Sequence, residues 1–278
     1  LSDNGNQEHL VSENVRSNES SFSTEQYSLI TSEGRIASFS AIPFPESEDT
    51  TGIQICTITR DELVDNLDIL LPSFATVAQH AFGFEDPIAP ENMVHQFDDI
   101  HSATVAIKDG VMVGYESQKQ LIVEGYDTTY CSIVVLPEYQ DKRVGRRLMQ
   151  ASLVAYQPDV ISGRSQNPAA ILSFRRSIQG LGIPHVLYPF DMSFQEAEIA
   201  AKVLKGLVEE LGYAEDVDIA TGRNTHAYGE GRLGNYQFNT ENPDIQAIEN
   251  HIQSVGVQRD QGDAIFFLAF LDKSEKDS

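Results

Sequence analysis

The spacing of apolar residues predicts a strand and two helices at the start of the chain body. Residues 53–59 alternate in a way that is typical of a half-buried strand. Thr59, with Glu62 three positions later, forms a capping-box signature, so a helix should begin there. Apolar residues at helical spacing follow it: Leu63, Leu67, Leu70 and Leu71. We expect this helix to end before Pro72 and a second helix to cover residues 73–81.

The middle of the chain predicts a succession of strands and helices. Asp109-Gly110 lies between two apolar segments and is a strong signal for a two-residue hairpin turn. Strands are expected at residues 103–108, 111–116, 121–124, 130–136 and 159–162, and helices at residues 144–156 and 168–180. This alternation of strands and helices predicts an α/β (α+β) domain.

The two ends of the chain differ from this body. Residues 1–50 carry nine acids and two bases and few clustered apolar residues, which predicts an acidic, largely disordered tail with one strand at 35–44. Residues 51–190 are expected to form the core domain. Residues 191–278 predict an extension with a helix at 194–211, a loop at 216–236, a helix at 245–255 and an apolar strand at 262–271. We expect that last strand to enter the central sheet beside residues 185–187.

The overall charge restricts the classes of partner. Asp and Glu number 42 against 19 Lys and Arg, a net charge of −23, so nucleic acid and anionic membranes are poor partners. A cationic substrate would be attracted, although solubility is an equally good explanation of the acidity. Two cysteines, Cys56 and Cys131, are too few for a disulfide framework or a four-cysteine zinc site and fit a cytoplasmic protein. The sequence shows no signal peptide, no membrane-length apolar run and no histidine spacing typical of a metal site.

One segment reverses this charge. Residues 137–176 hold three acids and seven bases: Lys142, Arg143, Arg146, Arg147, Arg164, Arg175 and Arg176. A polar turn in this segment joins the strand at 130–136 to a helix that begins near Gly145. Backbone N–H groups at a helix N-terminus favour anions, so the turn is a candidate phosphate site. The alternative is a solvated basic helix face.

Residues Val134 to Leu148 resemble the acyl-coenzyme A signature of the GNAT superfamily of N-acyltransferases. Gln140 matches the first position of that signature, Gly145 matches its last glycine, and Arg143 stands where the family usually has its first glycine. An arginine fits there without strain if its φ angle is negative. The turn binds the pyrophosphate of coenzyme A in the family.

A second block strengthens the resemblance, which covers roughly residues 53–187. Asn167-Pro-Ala-Ala, with the helix after it closing on Gly180-Leu-Gly, is similar to the family's helix beside the pantetheine arm of the cofactor. Asn167 matches the asparagine that meets this arm. Phe174 stands where the family often has a tyrosine that protonates the leaving thiolate, and a phenyl ring has no proton to donate.

The resemblance implies a GNAT-like mixed, splayed central sheet flanked by helices, and a set of site residues. The cofactor-binding candidates are Val134, Val135, Leu136, Gln140, Asp141, Lys142, Arg143, Val144, Gly145, Arg146, Asn167, Ala170, Phe174 and Arg175. The catalytic candidates are Glu124, Asp127, Tyr130 and Glu138, each of which is otherwise an ordinary surface residue. In the extension, His226 and Tyr228 are candidates for binding the acyl acceptor, unless the loop that holds them is structural.

The function expected from this resemblance is N-acyl transfer, with acetyl as the expected group. The co-substrate would be acetyl-CoA or another acyl-CoA, the acceptor a small-molecule or peptide amine of cationic character, and no metal would be required. A homodimer is left open. The rival class is a non-catalytic acyl-CoA binding or regulatory module, which Phe174, Arg143 and the absence of a carboxylate from residues 130–136 favour. A third alternative is an α/β domain whose basic segment binds another phosphate ligand.

Overall fold

The computed structural model describes residues 23–31, 34–45, 52–97, 100–140, 142–229 and 238–272. Its strands are β1 (Glu25–Ile30), β2 (Ile36–Phe44), β3 (Ile53–Ile58), β4 (Ser102–Lys108), β5 (Val111–Val123), β6 (Tyr126–Val135), β7 (Val160–Ser165), β8 (His185–Tyr188), β9 (Arg223–Asn224) and β10 (Ala264–Leu271). Its helices are α1 (Arg60–Phe82), α2 (Pro90–Phe97), α3 (Pro137–Gln140), α4 (Val144–Tyr156), α5 (Pro168–Gln179), α6 (Phe194–Glu210) and α7 (Pro243–Ser254). Among the described residues, no helix is both long enough and apolar enough to cross a membrane.

One mixed sheet organises the molecule, in the order β1-β2-β3-β4-β5-β6-β7-β10-β8, with β9 beside β10. The pairs along this order are antiparallel except β6 with β7, which run parallel. This parallel pairing joins only residues 128–130 to residues 160–162. The remainder of β6, residues 131–135, pairs with β5 on one side and separates from β7 on the other. The sheet is therefore splayed at its centre, as the resemblance implied.

Helices cover both faces of the sheet. Tyr130 and Val134 of β6 share one face because side chains alternate along a strand. Tyr130 packs with the apolar residues of α6, and Val134 packs with those of α1. Cys131 and Val135 point to the other face, where they meet residues of α4 and α5. We call the first side the α1/α6 face and the second the α4/α5 face.

The expectation of a largely disordered segment before residue 50 is wrong for part of it. β1 and β2 form two further strands of the sheet, and β2 pairs with β3. Leu29, Phe39 and Ala41 are buried against the α1 layer. Serines alternate with these apolar residues, so the two-residue alternation typical of a strand occurs in a segment of mostly polar composition. The rest of residues 1–50 lies outside the described residues, apart from short flanks of these strands.

The predicted break at Pro72 is also wrong. α1 runs through Pro72 as one helix, and α2 lies farther along the chain. Proline removes one helical hydrogen bond, but Leu70, Phe74 and Val77 bury one side of the helix against the sheet. Tertiary packing thus outweighs the local cost. Thr59 is the N-cap as predicted, but its side chain makes no capping hydrogen bond.

Two tight hairpins set the register of the central strands. Asp109 and Gly110 have φ angles of 51° and 77°, and they join β4 to β5 as predicted. Glu124 and Gly125, at 52° and 84°, form a second such turn that the sequence reasoning missed. β5 therefore continues to Val123 and β6 begins at Tyr126.

The C-terminal strand lies inside the sheet. β10 pairs with β7 along residues 160–165 and with β8 along residues 185–188. α6, β9 and α7 lie between β8 and β10 in the chain. α6 packs on the α1/α6 face, and α7 packs with α5 on the opposite face. The extension thus contributes a strand that borders β7, one wall of the splay.

Gly163 of β7 gives a test of this arrangement. A Cβ at residue 163 would lie 2.8 Å from Cζ of Phe267, a buried residue of β10. We expect Gly163→Ala to lower the free energy of unfolding by about 1–3 kcal/mol, because overpacking forces side chains from their preferred positions. Urea unfolding measures this change. In a Phe267→Leu background the same substitution should cost less.

A matched control is Gly145→Ala, whose added Cβ would make ordinary contacts of 3.5 Å and 3.6 Å. It should change the stability by no more than about 0.5 kcal/mol. Equal costs at the two glycines would contradict the close packing of β7 on β10.

Candidate active site

The backbone of β6 presents hydrogen-bonding groups to the gap between β6 and β7. The N–H of Leu136 donates to the carbonyl of Val113 on the β5 side, at 3.0 Å. Because successive N–H groups of a strand point in opposite directions, those of Ile133 and Val135 face the gap. Of the three backbone positions predicted for the cofactor, only Val135 points this way. Ile133 was missed, although the same alternation identifies it.

The side chain of Gln140 closes the end of this strand. Its Nε2 donates to the carbonyl oxygen of Val135 at 3.1 Å. This contact ties α3 to the strand that lines the gap. Gln140 therefore positions the turn after β6, and in the described structure its amide is engaged with the protein backbone.

The turn between α3 and α4 has a glycine-like shape. Arg143 is the N-cap of α4, with a φ angle of 58° and a ψ angle of 18°. The φ angle of Arg143 is therefore positive, and the condition for an unstrained arginine in this turn is not met. Left-handed conformations cost a residue with a side chain about 1 kcal/mol. Arginine thus adopts the backbone conformation that the family's glycine would supply. Asp141, in the same turn, lies outside the described residues.

The N-terminus of α4 lies against the gap. Val144 is fully buried, and a Cβ on Gly145 would come within 3.6 Å of the side chains of Ile133 and Val135. The first N–H groups of the helix therefore emerge beside the strand residues that face the gap. Lys142 is exposed over the ring of Tyr139, with Nζ 4.6 Å from the ring centre. An anion at this position meets helix N–H groups and nearby cations.

The seven bases of the charged segment do not form one patch. Arg146 stays near the start of α4, where its guanidinium lies against Gly180. Arg147 donates to the carbonyl of Ile53 at 3.3 Å. Arg175 and Arg176 form ion pairs with acids, at 2.9 Å to Asp191 and 3.1 Å to Asp244. Arg164 lies on the α1/α6 face, among aromatic rings. Lys142, Arg143 and Arg146 are thus the bases that the structure places at the start of α4.

The second predicted block forms α5. Asn167 is its N-cap, and its Oδ1 accepts from the N–H of Ala169 at 2.9 Å. Ala170 is exposed on the first turn. Phe174 is buried and meets the ring of Phe267 edge-on, with centroids 4.7 Å apart. Phe174 is thus a packing residue of the α4/α5 face and has no group that titrates.

The four catalytic candidates lie in different places. Glu124 is in the β5–β6 turn, and Asp127 precedes the part of β6 that pairs with β7. Both therefore lie at the end of β6 away from the gap. Glu138 is exposed on α3. Tyr130 is the last residue of β6 that pairs with β7 and lies beside the gap. Burial raises the pKa of Tyr130, so its hydroxyl stays protonated at neutral pH.

A buried carboxyl that sequence reasoning missed lies under the splay. Glu116 of β5 is fully buried on the α4/α5 face, opposite Ile133 in the strand register. The hydroxyl of Ser152 donates to its Oε1 at 3.1 Å, while Oε2 is buried without a partner. Burial raises the pKa of Glu116 to about 8, against the lowering effect of hydrogen bonds from Ser152, Gln118 and Cys131. In the sequence, the signal that could have identified Glu116 was a single carboxylate in the apolar segment 111–116.

The acceptor candidates are separated by the structure. The hydroxyl of Tyr228 donates to the carbonyl of Arg164, the residue of β7 just past the paired segment, at 3.2 Å. His226 instead faces the turn before β10. Its backbone N–H donates to Oδ1 of Asp263, and its Nδ1 lies 3.2 Å from the carbonyl oxygen of Gln261. Tyr228 therefore contacts β7, which borders the gap, while His226 contacts the turn before β10. Residues 230–237 of this loop lie outside the described residues.

Among the described residues, no group of three or more His, Cys, Asp and Glu side chains is arranged to hold a metal ion. Both cysteines are buried as free thiols.

Comparison with known families gives a match in the central part of the chain. Residues 67–171 match the model of the Acetyltransferase (GNAT) family. The match extends from α1 into α5 and includes the splay, the α3–α4 turn and Asn167. It ends before Phe174. A comparison with curated proteins gave no match.

Solved acetyltransferase structures are similar over about half of the chain. A putative acetyltransferase from Salmonella typhimurium with acetyl-CoA is 19% identical, with a TM-score of 0.33, over 51% of this chain and 86% of its own. The ribosomal-protein-S18-alanine N-acetyltransferase of Escherichia coli is 17% identical, with a TM-score of 0.34, over 49% and 80%. A diaminobutyrate acetyltransferase from Paenibacillus lautus, with its substrate and coenzyme A, is 12% identical, with a TM-score of 0.32, over 48% and 80%.

The buried Glu116 predicts a pH dependence of stability. Its pKa in the fold is about 8, above its ordinary value of 4.5, so between these values the folded protein binds more protons than the unfolded chain. This contribution to stability is complete below about pH 4.5 and is lost as the pH rises through 8. Glu116→Gln keeps a hydrogen-bond acceptor and removes the titration. We expect it to remove a slope of up to about 1.4 kcal/mol per pH unit in this range.

Urea unfolding from pH 5 to pH 9 measures this slope. Glu138→Gln is the control, because Glu138 is exposed. If wild type and Glu116→Gln lose stability equally with rising pH, Glu116 is not protonated in the fold.

Proposed function

We propose that the protein is an N-acyltransferase that moves an acyl group from acyl-CoA to an amine, because residues 67–171 match the model of the Acetyltransferase (GNAT) family. Acetyl-CoA is the proposed donor, and the acceptor is a small-molecule or peptide amine. The observation that supports this most directly is the splay, where the N–H groups of Ile133 and Val135 face the same opening as the N-terminus of α4.

We propose that the cofactor binds along the α4/α5 face and enters the gap. Its pyrophosphate would take the N–H groups of the first turn of α4, with Lys142, Arg143 and Arg146 adding positive charge. Its pantetheine arm would lie between β6 and β7, against the N-terminal turn of α5 at Asn167. An amide-bearing arm in this gap can pair with strand N–H groups as a missing strand would.

The proposed reaction requires few protein groups. The neutral amine attacks the thioester carbonyl carbon, a C–N bond forms, and the C–S bond then breaks. The N–H of Val135 or Ile133 would donate to the carbonyl oxygen as negative charge develops there. The ammonium proton would leave to water, because Glu124 and Asp127 lie at the end of β6 away from the gap and Glu138 is exposed on α3. Tyr130, which stays protonated, would donate a proton to the departing thiolate.

The rival function is a non-catalytic acyl-CoA binding module. Two observations favour it: Phe174 cannot act as an acid, and the described β6 residues in the gap, 131–135, include no carboxylate. Both functions use the same cofactor site. They differ in turnover, because a binding module holds acyl-CoA without releasing free thiol when amines are added.

The cofactor site is tested by Gly145→Glu. The new side chain would bring a negative charge and added bulk to the N-terminus of α4, where the pyrophosphate is proposed to bind. Calorimetry should show affinity for coenzyme A reduced at least about tenfold, equal to ~1.4 kcal/mol. Gly145→Ala serves as the uncharged control. Unchanged affinity in a folded Gly145→Glu protein would contradict the proposed site.

The catalytic role is tested by Tyr130→Phe. We expect kcat for acetyl transfer to fall at least about tenfold with unchanged affinity for coenzyme A, because a proton donor is lost. Tyr126→Phe is the matched control, since Tyr126 lies on the same strand at the far end from the gap. Release of free thiol from acetyl-CoA with a panel of amines is the measurement. Binding of acetyl-CoA without transfer to any amine would support the rival function.

A further inference from the structure

Arg164 of β7 lies in an enclosure of aromatic rings on the α1/α6 face. Its Cζ is 4.7 Å from the ring centre of Tyr213, 5.1 Å from that of Tyr228 and 5.7 Å from that of Phe266. Tyr130 belongs to the same group, with its ring 5.9 Å from that of Phe266. The rings come from β6, β10 and the segment after α6. The guanidinium is therefore held in place by several elements at once.

This cation has no carboxylate partner among the described residues. Its Nη1 donates to Oδ1 of Asn224 at 2.9 Å. Its Nε is buried without a hydrogen bond, while the side chain of Tyr228 hydrogen-bonds the guanidinium. Buried arginines are normally paired, because removing a charge from water is costly. Contacts with aromatic rings offset only part of this cost, and Nε is left without a hydrogen bond.

The edge of the guanidinium that carries Nε has a specific shape. Nε and Nη2 are neighbouring donors on one side of the guanidinium plane, and this pair of donors matches the two oxygens of a carboxylate. Asn224 holds the opposite side through Nη1. Arg164 is thus fixed with its Nε donor unpaired.

The position of Arg164 relates this edge to the acceptor. Ser162 is the last residue of β7 that pairs with β6, and Arg164 follows on the same face of the strand. That face also carries Tyr130 and Ser132 of β6, and Ser132 is exposed although it lies within the sheet. The α1/α6 face is therefore accessible at the splay. The phosphate groups of coenzyme A are proposed to bind on the opposite face, so they would not neutralise Arg164.

We propose that Arg164 binds a carboxylate of the acyl acceptor, so that the acceptor is an amino acid or a similar amine that carries a carboxylate a few bonds from its nitrogen. This inference rests on the proposed function and specifies its substrate class. The acidic protein surface attracts the ammonium group, and Arg164 holds the other end of the zwitterion. The amine then points toward the gap, where the thioester is proposed to lie.

The experiment compares matched acceptors. Acetyl transfer from acetyl-CoA is measured for a panel of α- and ω-amino acids and for the carboxamide of each. For wild type we expect kcat/KM to be at least about 30-fold higher for the acid than for its amide, because a buried guanidinium loses its ionic partner in the amide. Arg164→Gln and Arg164→Lys should raise KM for the acids and leave the amides nearly unchanged. Arg176→Gln, which removes an exposed cation, is the control.

The outcomes separate this inference from the proposed function. If wild type acetylates amides as well as acids, or Arg164→Gln affects both equally, the inference is wrong while acyl transfer stands. If a variant fails to fold, the wild-type comparison of acid and amide still decides. If no amine is acetylated, the proposed function fails. Calorimetry with the amino-acid panel in the presence of coenzyme A then tests Arg164, and equal binding to wild type and Arg164→Gln would overturn its role.

Discussion

The early separation of one parallel strand pair is the constraint on which the rest of this structure depends. β6 and β7 share only a short ladder that ends at Tyr130 and Ser162. Beyond that point, the backbone N–H groups of Ile133 and Val135 face a gap. Buried backbone groups need partners, so such a gap calls for water or a ligand that hydrogen-bonds as a strand does. The proposed position of the pantetheine arm follows from that requirement.

The two walls of the gap are held by different parts of the chain. β6 pairs with β5 along its whole length, and the N-terminus of α4 packs against it at Gly145. β7 is held from its other side by β10, which pairs with all of its residues. Gly163 lets the Phe267 ring of β10 approach closely. Because β10 comes after the inserted helices α6 and α7, the geometry of the gap depends on the last described segment of the chain.

The two faces of the splay differ in their chemistry. On the α4/α5 face, a helix N-terminus and nearby bases are suited to phosphate, while Glu116 lies neutral and buried beneath them at low and neutral pH. On the α1/α6 face, aromatic rings enclose Arg164, and Ser132 is exposed. A single gap between two strands connects these faces. This separation allows two substrates to approach one reacting centre from opposite sides.

The sequence by itself determined the order of most elements, the Asp109-Gly110 turn, and the resemblance carried by Gln140, Gly145 and Asn167, because turn chemistry, periodicity and short motifs are local. It could not determine that α1 continues through Pro72, since packing on the sheet outweighs a local penalty there. The left-handed conformation of Arg143 was also hidden, because a side chain usually disfavours it. Only the tertiary structure decided which N–H groups face the gap and which bases stay near α4. These outcomes depend on strand register and on contacts between residues far apart in the chain.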